Sequence, residues 1–298
     1  MTVALVTGAS GFIGGRLCER LLANGLEVHG IARSPRGDAG VRWWLLDLAD
    51  SEAVETALRR IRPEVVYHLA GHVSGSRDLD AVVPSLRDNL VASVNVFVAA
   101  ARAECPVVFA GSMEEPVAGA TAVSPYAAAK HGAAVFARML HALHGLRIAH
   151  LRVFMVFGPG QRDRTKLIPY VTTSLLRGVT PKLSSGTRLV DWIYVDDAVD
   201  ALLAASTKVD DLAGTAVDVG SGTLVTVREV VERIRQLIRT EVTPEFGVLP
   251  ERPNEVVRCA DVRRAREVLG WSSRTDLTEG LERTVEWFRG ELGVGGTA

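Results

Sequence analysis

VALVTGASGFIG, residues 3–14, decides the fold. Val3–Thr7 is a short, mostly β-branched apolar run of strand length, and residues 12–24 change to helical spacing. Between them Gly8, Gly11 and Gly14 recur every third residue. Glycines there let the backbone turn tightly, approach a pyrophosphate and present the N–H groups of a helix start to it. A turn of this kind, set between a first strand and a first helix, predicts a dinucleotide site rather than an incidental glycine bend.

Working outward, the alternation continues. Strands are predicted at 26–32, 64–70, 106–112 and 147–154, separated by helices at 51–61 (Ser51 a possible cap), 85–103 and 126–144. Strands joined by helices imply right-handed crossovers, hence an α/β fold: a Rossmann-type doubly wound parallel sheet. The rhythm breaks at GPGQRDR (158–164), and DWIYVDDAVDALLAA (191–205) and TAVDVGSG (215–222) read as a return to it. TVREVVERIRQLI (226–238) opens with a capping box, Thr226 and Glu229, and EGLERTVEWFRGEL (279–292) is a last helix. The expected division is a dinucleotide-binding domain, 1–155 plus about 189–222, and a smaller, discontinuous α/β substrate-binding lobe, about 156–188 plus 223–298.

Composition narrows the function. A net charge of −1 over 298 residues gives no field to draw nucleic acid or an acidic membrane. Cys18, Cys105 and Cys259 are odd in number and far apart, so neither a disulfide framework nor a metal site is expected, which fits a reducing cytoplasm. The start of the chain has no basic, then apolar, leader pattern, and runs such as VASVNVFVAAA (91–101) are too short to span a bilayer.

The end of the second strand reports on the cofactor. An acidic residue there would bind the ribose hydroxyls of NAD; IARSPRG (31–37) instead offers Arg33, Ser34 and Arg36, which suit a 2′-phosphate. This favours NADP(H) over NAD(H), against the plainer reading of a solvated loop. Asp47 either meets the adenine amino group or caps the helix at 51–61.

SPYAAAK (124–130) places one of four Tyr and one of four Lys a helical turn apart. On one helix face Lys130 would lower the Tyr126 pKa and reach a nicotinamide ribose, and Ser112, ending the strand at 106–112, would hydrogen-bond a substrate C–O group. Ser112, Tyr126 and Lys130 thus form a candidate proton-transfer site beside a hydride carrier.

These motifs, in this order over nearly the whole chain, resemble the extended short-chain dehydrogenase/reductases, the NAD(P)-dependent nucleotide-sugar epimerase, dehydratase and ketoreductase family. TGASGFIG resembles TGxxGFIG, YHLAG (67–71) resembles HLAA, YAAAK the catalytic Y-x-x-x-K, LRVFMVFGPGQ (151–161) LRxxNVYGPGQ, DWIYVDDAV (191–199) RDxxYVDD, and RPNEVVRCADVRRAREVLGW (252–271) the RPGD…LGW stretch. Asn89 stands where the family has a structural Asn. The resemblance implies cofactor contacts from Gly8, Ser10, Gly11, Phe12, Ile13, Gly14, Asp47, Leu48, Leu69, Ala70, Gly71, Tyr126 and Lys130, alongside Arg33 and Ser34. It implies that Arg252 meets the diphosphate of an NDP-sugar and makes Lys166 a lesser candidate; for each the rival reading is a surface cation. It also implies a homodimer through helices 85–103 and 126–144, unless their outer faces are simply polar and solvated.

The departures point to a subfamily. Family dehydratases carry an Asp/Glu pair after this strand, where GSMEEP (111–116) has Met113 and Glu114; Met cannot donate a proton, so Glu114 stands alone as a catalytic candidate. Family 4-ketoreductases, with GSSEEYG, are nearer. Met155 replaces an Asn that contacts substrate phosphate, and Val190 replaces an Arg for which Arg188 is the substitute candidate. The expectation is NADPH-dependent reduction of the C4 ketone of an NDP-4-keto-6-deoxyhexose, with Tyr126 as general acid. The alternatives are an NAD-dependent NDP-hexose 4-epimerase and, from another class, a non-catalytic dinucleotide sensor or scaffold.

Overall fold

The computed structural model describes residues 2–34, 40–117, 119–212, 214–251 and 255–294. Its strands are β1 (Val3–Thr7), β2 (Glu27–Ala32), β3 (Val41–Leu45), β4 (Val65–His68), β5 (Val107–Ser112), β6 (Ile148–Val153), β7 (Met155–Phe157), β8 (Leu189–Tyr194), β9 (Ala216–Val219) and β10 (Leu224–Thr226). Seven of them form one sheet in the order β3-β2-β1-β4-β5-β6-β9, and every adjacent pair is parallel. The central strands are buried along nearly their whole length, which is why they read as continuous apolar runs. Helices Ser51–Ile61, Ala92–Arg102 and Pro125–His144 pack with them in a core that includes Leu5, Val66, Phe97, Phe109, Ala133 and Ile148. Each such large side chain contributes about 1.5–3 kcal/mol of burial. The expected α/β fold is the one observed.

Local departures have physical reasons. β3, VRWWL, was not anticipated: it is a short edge strand, only partly buried, without an alternating pattern. Asp50, not Ser51, caps the helix Ser51–Ile61, accepting from the N–H groups of Glu52 and Ala53; a carboxylate also suits the positive end of the helix. Asp47 does not cap this helix; it accepts from Ala49 N–H instead. The helix expected over 85–103 begins earlier, at Val82, and passes through a π-helical turn, Leu86–Val91, before resuming as Ala92–Arg102.

Two units divide the chain: Met1–Val153, Val199–Val219 and Arg263–Trp271 in the first, Phe154–Ala198, Gly220–Val262 and Ser272–Ala298 in the second. The expected boundaries move by two or three residues at 155 and 222 and shift further at two places. Residues 189–198 belong to the second unit because β8 pairs with β7 and β10 in a separate three-stranded sheet. Residues 263–271 belong to the first, where the turn Ala265–Leu269 packs near β9. In the second unit the buried Asp191 carboxylate accepts from Ser221 N–H at 2.7 Å, Gly222 N–H at 3.0 Å and Ala260 N–H at 3.0 Å, pinning two loop segments to β8. The capping box of the helix Val227–Ile238 forms as its sequence predicts. Among the described residues no helix is long and apolar enough to cross a membrane.

Candidate active site

β1 lies where the strand order reverses, between β2 and β4, the place at which open parallel sheets bind ligands. The glycine turn leaves β1 here. Gly8 has φ +70°, and a Cβ on it would lie 2.8 Å from Ala70 N; one on Gly14 would lie 2.1 Å from the Gly8 carbonyl oxygen. No side chain caps the helix Phe12–Ala23, whose first turn holds Phe12, Ile13 and Gly14 just after Ser10 and Gly11. A cradle closed to side chains beside an uncapped helix start fits a dinucleotide pyrophosphate.

A directional chain of hydrogen bonds fixes the segment beside it. Ala70 N–H donates to Thr7 Oγ1, which donates to His68 Nδ1 at 2.7 Å; His68 Nε2–H donates to Ser93 Oγ at 2.9 Å, and Ser93 donates to the Asn89 carbonyl. Only this order is consistent, because the Ser93 hydrogen is committed to a carbonyl. Burial, with Lys130 nearby, pushes the His68 pKa down to about 3, so the ring is a neutral relay. Asn89 clasps His72 through both its N–H and its C=O. A Cβ on Gly71 would lie 2.5 Å from Asn89 Oδ1 and 3.6 Å from Lys130 Nζ. Leu69, Ala70 and Gly71 thus join the glycine turn to Lys130.

Ser112 ends β5, and the helix Pro125–His144 begins beside it, with Ser124 as N-cap and Pro125 in the first turn. Ser112, Tyr126 and Lys130 are 6%, 8% and 3% exposed, so the expected triad is sheltered from bulk water. The Ser112 side chain lies near enough to the Tyr126 phenol to act on its titration. Lys130 Nζ donates to the Ala110 carbonyl at 2.8 Å and sits 5.1 Å from the Phe109 ring centroid. Glu114 joins from the same turn: its N–H donates to Ser112 Oγ at 3.1 Å and its carboxylate accepts from Ser124 Oγ.

The electrostatics differ from the sequence expectation. Burial pushes the Tyr126 phenol well above its ordinary value, and Glu114 and Glu115 add to this against the opposing influence of Ser112. The expected lowering of Tyr126 by Lys130 is absent because the ammonium is turned to the Ala110 carbonyl. Lys130 itself is pushed down to about 8 by burial, partly offset by Glu115. The native Lys130 therefore releases its proton before the unfolded one does, and stability from this residue rises with pH between about 8 and 10. Wild type should gain about 2 kcal/mol over Lys130→Met between pH 8 and 9.5 in urea unfolding. A constant difference across that range would show that Lys130 titrates at its ordinary value.

Sequence reasoning missed two residues beneath this triad. Glu115 Oε1 accepts from Ser112 N–H at 2.7 Å, and His150 Nε2 lies 3.1 Å from the same oxygen. The signals were present: a second Glu in GSMEEP, and a His inside an apolar strand. Strand register sets His68, Phe109 and His150 side by side on β4, β5 and β6. Their rings stack at 5.8 and 5.1 Å between centroids.

At the carboxyl end of β2, Arg33, 74% exposed, lies 3.4 Å from Asp88, which Arg87 also pairs. Arg87, another residue not anticipated, bonds Asp47 as well. Ser34 is exposed beside Arg33, and the Leu48 carbonyl accepts from Asn95. In the second unit, Met155 opens β7, Lys166 precedes the helix Leu167–Leu176 with its Nζ 4.0 Å from Asp163, and Arg188 pairs with Glu255 at 2.8 Å. Arg36 and Arg252 lie outside the described residues.

Comparison with known proteins accords with this geometry. The sequence profile of the NAD dependent epimerase/dehydratase family matches residues 4–220. The chain belongs to that family. Like other members of the NAD dependent epimerase/dehydratase family it is an extended short-chain dehydrogenase/reductase. It is 32% identical to a UDP-glucose 4-epimerase of Mycolicibacterium smegmatis, over 96% of this chain and 98% of that one. A crystal structure of the UDP-glucose 4-epimerase of Thermotoga maritima with UDP-glucose superposes with a TM-score of 0.87 at 25% identity, over 98% and 100% of the two chains. MoeE5 in complex with UDP-glucose and NAD superposes at 0.86 with 30% identity, over 97% and 99%.

Proposed function

We propose that the protein is an NAD-dependent 4-epimerase of a UDP-linked hexose or hexuronate. The observation that carries this reading is the Tyr126–Ser112 hydroxyl pair, with buried Lys130 on the next helical turn, joined through Gly71 and Ala70 to the glycine cradle. The relatives support 4-epimerisation: UDP-glucose 4-epimerases match this chain over nearly its whole length. They favour the epimerase alternative over the net ketoreductase expected from sequence.

The residues divide the work. Gly8, Gly11 and Gly14 would hold the pyrophosphate, and Tyr126 and Lys130 the nicotinamide end. NAD, when bound, supplies reversible hydride acceptance. Tyr126 takes the proton of the sugar 4-hydroxyl as general base and gives it back to the ketone oxygen as general acid. Ser112 hydrogen-bonds the same oxygen in both directions. To stabilise the phenolate that Tyr126 must become, against the two carboxylates that oppose it, the Lys130 ammonium would have to leave the Ala110 carbonyl. Return of hydrogen to the opposite face of the C4 ketone inverts that centre. Helices 85–103 and 126–144 are the proposed dimer contact: Leu86, Val91, Phe136 and Leu143 are exposed apolar side chains on these segments, which a merely polar, solvated face would lack.

The test is a mass balance. Nucleotide released from the denatured protein should be NAD, and UDP-glucose or UDP-glucuronate should be converted to its C4 epimer with no added reductant. One favouring observation keeps a second reading in view: Arg33, rather than a carboxylate, directly follows β2, as a 2′-phosphate would require. Consumption of one NADPH per sugar, with none of the epimer formed, would replace the epimerase by the ketoreductase.

A further inference from the structure

Glu115 and His150 form a buried acid–base pair that touches the catalytic strand end from below, and neither is part of the Ser/Tyr/Lys set. Glu115 is 4% exposed and His150 1% exposed. Two donors converge on Glu115 Oε1: the Ser112 backbone N–H at 2.7 Å and His150 Nε2 at 3.1 Å. The room for this is made by Gly111. A Cβ there would lie 2.3 Å from both Glu115 Oε1 and His150 Nε2, so this carboxylate and imidazole occupy the volume a side chain would fill. The Phe109 ring, one position from Ala110, stacks on His150 and also lies under the Lys130 ammonium. Lys130, on the Ala110 carbonyl, and Glu115, on the Ser112 N–H, therefore hold the last residues of β5 on either side of Gly111.

We propose that Glu115 is a positioning residue of the proton-transfer site, whose carboxylate holds Ser112 in place from beneath the strand and serves as the buried counter-ion that keeps Lys130 an ammonium at neutral pH. A buried ammonium hydrogen-bonded only to a carbonyl would shed its proton readily; an ionised carboxylate nearby opposes this. The other titratable groups facing Lys130 do not do so. Tyr126, on its own helix, is held protonated, and His68 of β4 is held neutral. Glu114 accepts from Ser124 and acts on Tyr126 rather than on Lys130, and His150 of β6 reaches the site through Glu115. Burial pushes the Glu115 carboxyl up, but His150, the Ser112 N–H and Lys130 together bring it below its ordinary value, so the acid is ionised where it is needed. The role rests on the Tyr126/Lys130 chemistry proposed above, with a consequence that can be read in the ligand-free protein.

The chain has four Lys, of which the other three, Lys166, Lys182 and Lys208, lie outside this site, so 13Cε-lysine NMR can follow Lys130 alone. Glu115→Gln keeps an oxygen for the Ser112 N–H and removes only the charge. Its Lys130 midpoint should fall by about one pH unit or more, while Glu115→Asp should restore most of the wild-type value. The alkaline limb of the turnover profile should move down with it, with KM little changed. If the single variant does not fold, the Glu115→Gln/His150→Gln pair, whose amides can bond each other, carries the same measurement. An unmoved or raised Lys130 midpoint overturns the proposal. A wild-type midpoint below about 7 does so with no variant at all. Failure of the epimerase reading would show in the turnover assay and leave the lysine titration unaffected.

Discussion

Tyr126→Phe is expected to lower kcat by about two to four orders of magnitude while NAD still binds, the range spanned by loss of a positioned acid–base group. The substitution removes one oxygen and keeps the ring in its 8%-exposed slot. Ser112 loses a hydroxyl neighbour but keeps the Glu114 N–H, so the strand end stays in place. What disappears is the only group in the set that can alternate between taking and giving the C4 hydroxyl proton. Lys130 points to Ala110 and cannot substitute without breaking that bond. The measurement is steady-state turnover together with nucleotide titration. A loss of binding equal to the loss of kcat would mean that Tyr126 holds the cofactor rather than moving a proton. Unchanged kcat would remove Tyr126 from the mechanism.

Gly14→Ala should be nearly as severe, for a reason that inverts the usual rule. In an open helical position Gly to Ala stabilises by about 1 kcal/mol. At Gly14 the added Cβ would stand 2.1 Å from the Gly8 carbonyl oxygen, and neither backbone can retreat without opening the turn. We expect NAD affinity to fall by about 100-fold or more, since the backbone could no longer close on the pyrophosphate, with a lower Tm. Gly290→Ala is the internal control: it lies in the helix Leu277–Leu292 with nothing within 4 Å of its would-be Cβ, and should leave Tm unchanged or raise it. Equal behaviour of the two variants would show that the cradle tolerates a side chain.

Much of this could be read from the chain because the deciding signals were local. The glycine spacing, the Tyr–Lys turn and the Thr226–Glu229 box each lie within a few residues, where backbone geometry follows directly from side-chain type. What escaped depends on strand register. Glu115 and His150 are 35 positions apart and meet only because β5 and β6 pair as they do. The lowering of the Tyr126 pKa was expected from helical spacing alone. Burial and the direction of the Lys130 side chain reverse it, and neither is visible in a seven-residue string. The shift of 189–198 to the second unit has the same origin: a strand's neighbours, not its residues, decide its sheet.

The π-helical turn at Leu86–Val91 makes residue counting misleading across this region. Its one surplus residue throws the stretch before Asn89 out of phase with Ala92–Arg102 by about 100°. A relative lacking a residue there would continue as an ordinary helix and lose the inward aim of the amide that grips His72. Length variation within these six positions, more than the identity of any residue, should therefore mark which members of the family build the wall beside Gly71 in this way.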